Sequence, residues 1–378
     1  MGKLIRALPK GFNFRTFAVE CRDVVEPARV FQNLSPVATA ALGRALAGVA
    51  LLSADLKFGK VLLQIKGDGS IGEILAEGDH VGRLRGTVHN PHVFLEPENK
   101  KLPVGKAVGK NGFISVVKDL GLKEIYQSSA ELISGEIAED LAYYLTVSEQ
   151  IPSVVALGVL VDRDGSVLQA GGYMIQKLPQ AKEDEIVFVE ERLKATPATT
   201  ELLSKGLSPE GILSFIFGEV EVLEEREVVF RCTCSLERVK NALIALGKKE
   251  IEEMVAKGEP VEVTCHFCRA TYKLSIDDLK ELLGTISEGK TMFKLILWII
   301  LLLLVVFFVV FNVKPKVTVH LLPGVALENI PLALVIIVSF VLGLLFGLSF
   351  SLFQMLKRSL RKSPQDEPKQ DKSNISTP

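Results

Sequence analysis

The sequence predicts an α+β fold followed by two apolar helices of membrane-spanning length, and three observations carry that reading. Val154–Val161 and Val167–Tyr173 flank Asp162-Arg-Asp-Gly165, a strong hairpin signal and so the mark of a mostly antiparallel sheet. Helical runs with caps lie on either side of it in sequence, which supplies covering helices. Leu295–Phe311 and Leu332–Phe353 then carry 17 and 22 residues without a charge, the length range that crosses a hydrocarbon core of about 30 Å.

From residue 33 the elements read in order. Ser35 caps a helix over Asn33–Asp55, and Pro36 takes its first position. Ala40, Ala41, Gly43, Ala47 and Gly48 leave room on it for a close neighbour. Lys60–Lys66 is a strand, and Gly67-Asp-Gly69 is a turn. That turn opens Gly67-x-Gly69-x-x-Gly72, a formal dinucleotide fingerprint, but the motif needs a helix next. Glu73–Ala76 and Arg83–Val88 read as strands punctuated by Gly78 and Gly82, so the match is rejected. Phe113–Lys118 is a further strand. Ser134 is the expected N-cap of a helix over Ser134–Glu149, with Ile137, Leu141, Tyr144 and Leu145 on one face. Beyond Leu178, Glu183–Ala195 is a charged helix and Ser208-Pro209-Glu210 opens a short one. Glu219–Glu227, with five glutamates and one arginine, reads as a solvated linker or as a segment held only marginally folded by its neighbours.

Four of the five cysteines form two tight pairs, Cys232-Thr-Cys234 and Cys265-His-Phe-Cys268, each at the end of a β-like run. Four thiolates so placed can close a tetrahedral Zn²⁺ site with no open position, which makes the metal structural. The second pair alone also fits a thioredoxin-like motif, but that should open a helix. Arg269–Leu274 reads instead as a continuing strand, which favours a zinc knuckle. The one-residue spacing of the first pair brings its sulfurs close enough for a strained, labile disulfide once metal leaves. The site therefore reads as zinc when reduced and as two local disulfides when oxidised. His266 is a substitute ligand or a solvated loop residue. Helices over Ser235–Leu246, Lys248–Lys257 and Ser275–Ile286 and a strand over Val261–Thr264 complete a small zinc-binding α+β module.

A net charge of −1 argues against a chain built to neutralise phosphates, so no nucleic-acid partner is expected. Clustered thiols point to a reducing compartment. The opening MGKLIRALPKGF is too polar for a signal peptide.

With these residues in view the chain resembles the redox-regulated heat-shock protein 33 chaperones, from about Arg6 to Leu283. The likeness rests on NLSPVATAALGRALAGVALLSADLK, QIKGDGSIGEI, SGEIAEDLAYYLTVSEQIPSVVALGVLVDRDGSVLQAGG and the spacing of CTCS and VTCHFC. It implies an ATP-independent holdase for unfolding client proteins, not an enzyme. It implies one Zn²⁺ per chain on Cys232, Cys234, Cys265 and Cys268 in a quiet reduced form. Oxidant, with heat or as hypochlorite, is then expected to form the disulfides Cys232–Cys234 and Cys265–Cys268 and to expel zinc. The linker unfolds, client-binding surface appears, and the active form is a homodimer.

The apolar runs depart from that family. The segment FVVFNVKPKVTVHLLPG…IPLALVIIVSFVLGLLFGL is similar to the lipopolysaccharide-assembly protein A domain family. Lys290 and Lys294 precede the first run, and Lys357, Arg358, Arg361 and Lys362 follow the second. That bias places the chaperone part and both termini in the cytoplasm, with a short external loop across a bacterial inner membrane. The expected division is a chaperone core over 1–178, a metastable linker over 179–231 and a redox-switch module over 232–290. A transmembrane hairpin over 291–356 and a disordered tail over 357–378 follow. On the residues alone, a membrane-anchored zinc-module adaptor and a thiol-disulfide oxidoreductase using Cys265 and Cys268 stay open.

Overall fold

A computed structural model describes residues 2–98, 101–121, 125–311, 314, 316–322 and 325–343. The chain divides into two compact units, Met1–Leu279 and Lys280–Pro378.

The first unit is built on one helix. Pro36–Ser53 (α2) is apolar all round except for Thr39, Arg44 and Ser53, and nearly every residue of it is buried. It has the length and composition of a membrane span, yet 89% of it is enclosed by protein, so it is the core helix of this unit. Ser35 caps it as expected, Oγ accepting from the Ala38 N–H. Gly43 shows why small residues recur along it: a Cβ there would stand 2.7 Å from a Val159 methyl and 2.8 Å from one of Val25.

Around α2 wraps a ten-stranded sheet. Its strands are β1 (Gly2–Pro9), β2 (Phe14–Glu20), β3 (Lys60–Lys66), β4 (Glu73–Asp79), β5 (Arg83–Val88), β6 (Phe113–Asp119), β7 (Tyr126–Glu131), β8 (Ser153–Val161), β9 (Val167–Lys177) and β10 (Val220–Phe230). They run in the order β7-β6-β3-β4-β5-β10-β1-β2-β9-β8. Every pairing is antiparallel except β10 with β5, which is parallel and joins only Val229 to Arg83 and Phe230 to Leu84. The helices α1 (Arg22–Gln32), α3 (Val104–Val108) and α4 (Ala138–Val147) complete the inner layer around α2.

Three further helices, α5 (Glu183–Ala195), α6 (Thr199–Ser204) and α7 (Pro209–Phe217), close a second core on the other face of the sheet. The strands β1, β2 and β9 are therefore buried on both sides. Leu4, Phe17, Val19 and Met174 enter the first core, while Ile5, Ala18, Tyr173 and Ile175 enter the second. Phe12 fastens the outer layer, stacked on Phe188 at 4.9 Å and edge-on to Phe217 at 5.6 Å.

Two expectations are corrected here. The acidic stretch Glu219–Glu227 is no solvated linker: Val220 to Phe230 form β10, and residues 220–228 pair with β1. Two of its glutamates pair with basic residues of β1, Glu225 with Lys3 at 2.7 Å and Glu224 with Arg6 at 3.6 Å. Nor is Ser134 a helix cap. The helix starts at Ala138, and the buried Asp140 carboxylate accepts the N–H groups of Ile133, Ser134, Gly135 and Ile137 at 2.8–3.3 Å. Asp140→Ala strands four donors, two of them buried, so it should lower the urea-unfolding free energy by about 3 kcal/mol. A loss below about 1 kcal/mol in that titration contradicts this account of the turn.

The cysteine-bearing part of the first unit holds α8 (Leu236–Leu246), α9 (Lys248–Lys257) and a hairpin of β11 (Val261–Thr264) with β12 (Thr271–Leu274). The helix expected over Ser275–Ile286 is the start of a longer one, α10 (Ile276–Phe311). Ser275 opens it in a reciprocal cap, its N–H and Oγ donating to Asp278 and its Oγ accepting the Asp278 N–H.

In the second unit the apolar stretch Ile296–Phe308 is helical with its large side chains exposed, Trp298 at 70%. The loop expected between the two spans carries an antiparallel hairpin of β13 (Lys316–Leu322) and β14 (Val325–Pro331). The second span is helical over Leu332–Gly343. Its remainder to residue 353 and the tail over 357–378 lie outside the described residues.

Candidate metal centre

The four clustered cysteines come from two loops that the fold brings together. Cys232 and Cys234 follow the end of β10, just before Ser235, whose Oγ accepts the Arg238 N–H and starts α8. Cys265 and Cys268 sit in the turn of the β11–β12 hairpin, closed by Cys265 N–H to Ala270 O at 2.9 Å and Arg269 N–H to Cys265 O at 2.9 Å. Arg269 takes the left-handed φ of 58° that bends the chain back into β12. A strand, not a helix, follows Cys268, so the motif lacks the thioredoxin context.

The sulfurs meet across the loops. Cys232 Sγ is 3.6 Å from Cys265 Sγ, and Cys234 Sγ is 3.3 Å from Cys268 Sγ. All four ligand atoms lie within 4.8 Å of one another. Four sulfurs at about 2.3 Å from one tetrahedral ion stand about 3.8 Å apart, so the donor set fits a closed site of zinc's size. His266 is not among these donors; its carbonyl accepts a hydrogen bond from Thr87 Oγ1 at 3.2 Å. Cys21 is buried elsewhere, in the first core.

The surroundings of the sulfurs are donors. Tyr272 OH donates to Cys234 Sγ at 3.2 Å. Arg85, from β5, points one nitrogen at Cys232 Sγ at 3.8 Å and at Thr233 Oγ1 at 3.4 Å. Burial first, then the neighbouring sulfurs, push the Cys268 thiol up to about 12. The hydrogen bond to Cys234, chiefly, pushes the Tyr272 hydroxyl up to about 12 as well. A divalent ion reverses that balance, because a coordinating thiol is deprotonated outright. Four sulfurs this close together could hold one metal ion.

Sequence spacing picked out the four cysteines, and the structure brings all four together. It gave no role to Arg85, Thr87, Gln32 or Tyr272. Tyr272 stands four residues after Cys268, but the other three approach from more than 140 residues away.

This combination of a helix-centred curled sheet and a four-cysteine cluster has known relatives. A family model described as Hsp33 protein matches residues 2–275, and the chain belongs to the Hsp33 family, which is one of chaperones rather than enzymes. Among similar proteins is the 33 kDa chaperonin of Thermodesulfovibrio yellowstonii, 44% identical over 288 residues that span 76% of this chain and 100% of the relative. The 33 kDa chaperonin of a Thermoanaerobacter species is 46% identical over 290 residues, 75% of this chain and 99% of that one. The crystal structure of the Thermotoga maritima 33 kDa chaperonin superposes with a TM-score of 0.69 at 40% identity, covering 76% of this chain and 99% of its own. A second model, the lipopolysaccharide assembly protein A domain, matches residues 315–368.

Proposed function

We propose that this chain is a membrane-tethered holdase switched on by oxidation, with one Zn²⁺ held by Cys232, Cys234, Cys265 and Cys268 in its quiet form. The observation that carries the reading is the position of the centre. Cys232 and Cys234 directly follow β10, and the partner loop rests against β5, so the state of four sulfurs bears on a strand in the middle of the sheet. Bound zinc supplies binding energy, and structural sites are worth roughly 10–16 kcal/mol. Whole domains are stable by only about 5–15 kcal/mol, so loss of the ion unfolds the module.

Hydrogen peroxide performs the switch in balanced steps. One peroxide takes two electrons from Cys232 and Cys234, and a second takes two from Cys265 and Cys268. In each case an S–S bond forms and the O–O bond breaks; the thiolates bring no protons, so two are taken up from solvent and the oxygens leave as two waters. The segment over 179–231 then loses its support and uncovers apolar surface for unfolding clients, and two activated chains associate.

The apolar helices Ile296–Phe308 and Leu332–Gly343 expose a surface suited to lipid, and the flanking lysines and arginines favour cytoplasmic termini. The full chain should sediment with inner membranes and resist alkaline extraction, while a chain ending at residue 290 stays in the supernatant. The reverse partition refutes the tether. The switch is tested on the full chain in detergent, with aggregation suppression measured against zinc release as peroxide is added. Activity that appears together with zinc release supports a holdase. Binding that oxidation abolishes points to an adaptor, and turnover of a model disulfide points to an oxidoreductase.

A further inference from the structure

Three side chains of the N-terminal body grip the second cysteine loop. Gln32 Nε2 donates to Phe267 O at 3.1 Å and to Gly86 O at 2.8 Å. Thr87 Oγ1 donates to His266 O. Arg85 lies over the Phe267 ring, its guanidinium carbon 4.4 Å from the centroid. Arg85 alone of the three also reaches the first cysteine loop. Its Nε and Nη2 face the Glu77 carboxylate at 3.0 and 2.8 Å, which turns Nη1 towards Cys232 Sγ and Thr233 Oγ1. The side chain is 14% exposed, so the charge meets the sulfur with little screening.

We propose that Arg85 is a positioning residue that sets the oxidation threshold of the centre and docks it while the sulfurs are charged. Four thiolates around one divalent ion carry a net charge of −2, and Arg85 is the guanidinium in contact with a sulfur of that group. A donor on Cys232 Sγ draws electron density from one of the sulfurs that can attack peroxide, and thiolate nucleophilicity falls as its basicity falls. Oxidation makes Cys232 a neutral disulfide sulfur. Arg85 then keeps Glu77 and the Phe267 ring but loses its anionic partner, which loosens the module at the moment the metal departs. A permanent cation suits both tasks, and the Glu77 fork explains the need for Arg rather than Lys.

The inference rests on the zinc–thiolate reading, and the experiment separates the two. The full chain in detergent is treated with excess peroxide, and zinc is followed with a chromogenic chelator. Arg85→Met keeps an apolar stem over Phe267 without the charge, and Arg85→Lys keeps the charge without the fork. Arg83→Met, on the same strand but paired with Asp79, is the control. Arg85→Met should start with one zinc per chain, release it about tenfold faster than the parent, and show less hydrogen-exchange protection over 265–268. Arg85→Lys should restore part of the delay, and Arg83→Met should match the parent. If Arg85→Met does not fold, Glu77→Gln frees the guanidinium from its orienting carboxylate and should speed release in the same direction. Release within about twofold of the parent in the folded variant overturns the role of Arg85. A parent chain with no zinc, or with zinc that peroxide does not release, overturns the zinc reading instead.

Discussion

Serine at both Cys232 and Cys265 should leave the chain without zinc and the module without a fold, whereas the parent should carry one ion per chain. The size of the effect follows from how little else holds the module together. Its hairpin has four residues in each strand, and α8 and α9 bury one apolar side chain apiece, Leu243 and Ile251. Each such side chain contributes about 2 kcal/mol, while every ordered residue costs about 1–2 kcal/mol of backbone entropy. Elemental analysis should find the metal gone from the double variant. Hydrogen exchange over 232–275 should rise to the rate of an open chain, with β3, β4 and β6 still protected. Stoichiometric zinc retained in that variant would falsify the ligand set.

Aspartate at Val228 should turn the chaperone on without any oxidant. Val228 is 0% exposed, lies opposite Gly2 in the β10–β1 ladder, and belongs to the first core. A carboxylate there replaces methyls packed in an apolar core, and an unpaired buried polar group costs several kcal/mol. The cost falls on the strand that bridges the two halves of the sheet and meets β5 through only two residue pairs. The reduced, zinc-loaded variant should suppress client aggregation to the level of the oxidised parent, and protease should cut within 179–231. A reduced variant that stays quiet and uncut shows that release of β10 is not the step that exposes the client surface.

Local signals explain what could be read beforehand. Ser35 and Pro36 announce α2, Ser208 and Pro209 announce α7, and Asp162 to Gly165 announce the β8–β9 turn, because each signal and its effect lie within a few residues. The strands β1 and β2 escaped because burial on both faces removes the alternation that marks a half-buried strand. The misreading of β10 has a different cause. Its glutamates look solvated until Lys3, Arg6 and Lys10 arrive from the other end of the unit. In the same way the cysteine spacing marks the centre, but the grip of Gln32, Arg85 and Thr87 exists only after folding. Ser339 and Gly343 start a four-residue repeat of small residues on the second span, and its later members, Gly347 and Ser351, lie outside the described residues.

The bridging strand also fixes the order in which the chain can be made. β1 leaves the ribosome first, yet its partner β10 begins about 210 residues later in the sequence. Until residue 230 has emerged, β1 and β5 each keep an unpaired edge in the nascent chain. Long-range pairings of this kind form late, since loop-closure entropy is met before any contact rewards it. The sheet therefore passes through a two-part form during synthesis, with the same two edges open that departure of β10 would open in the finished protein. The cysteine pairs are translated just after β10, so metal binding can lock that closure as soon as the strand is in place.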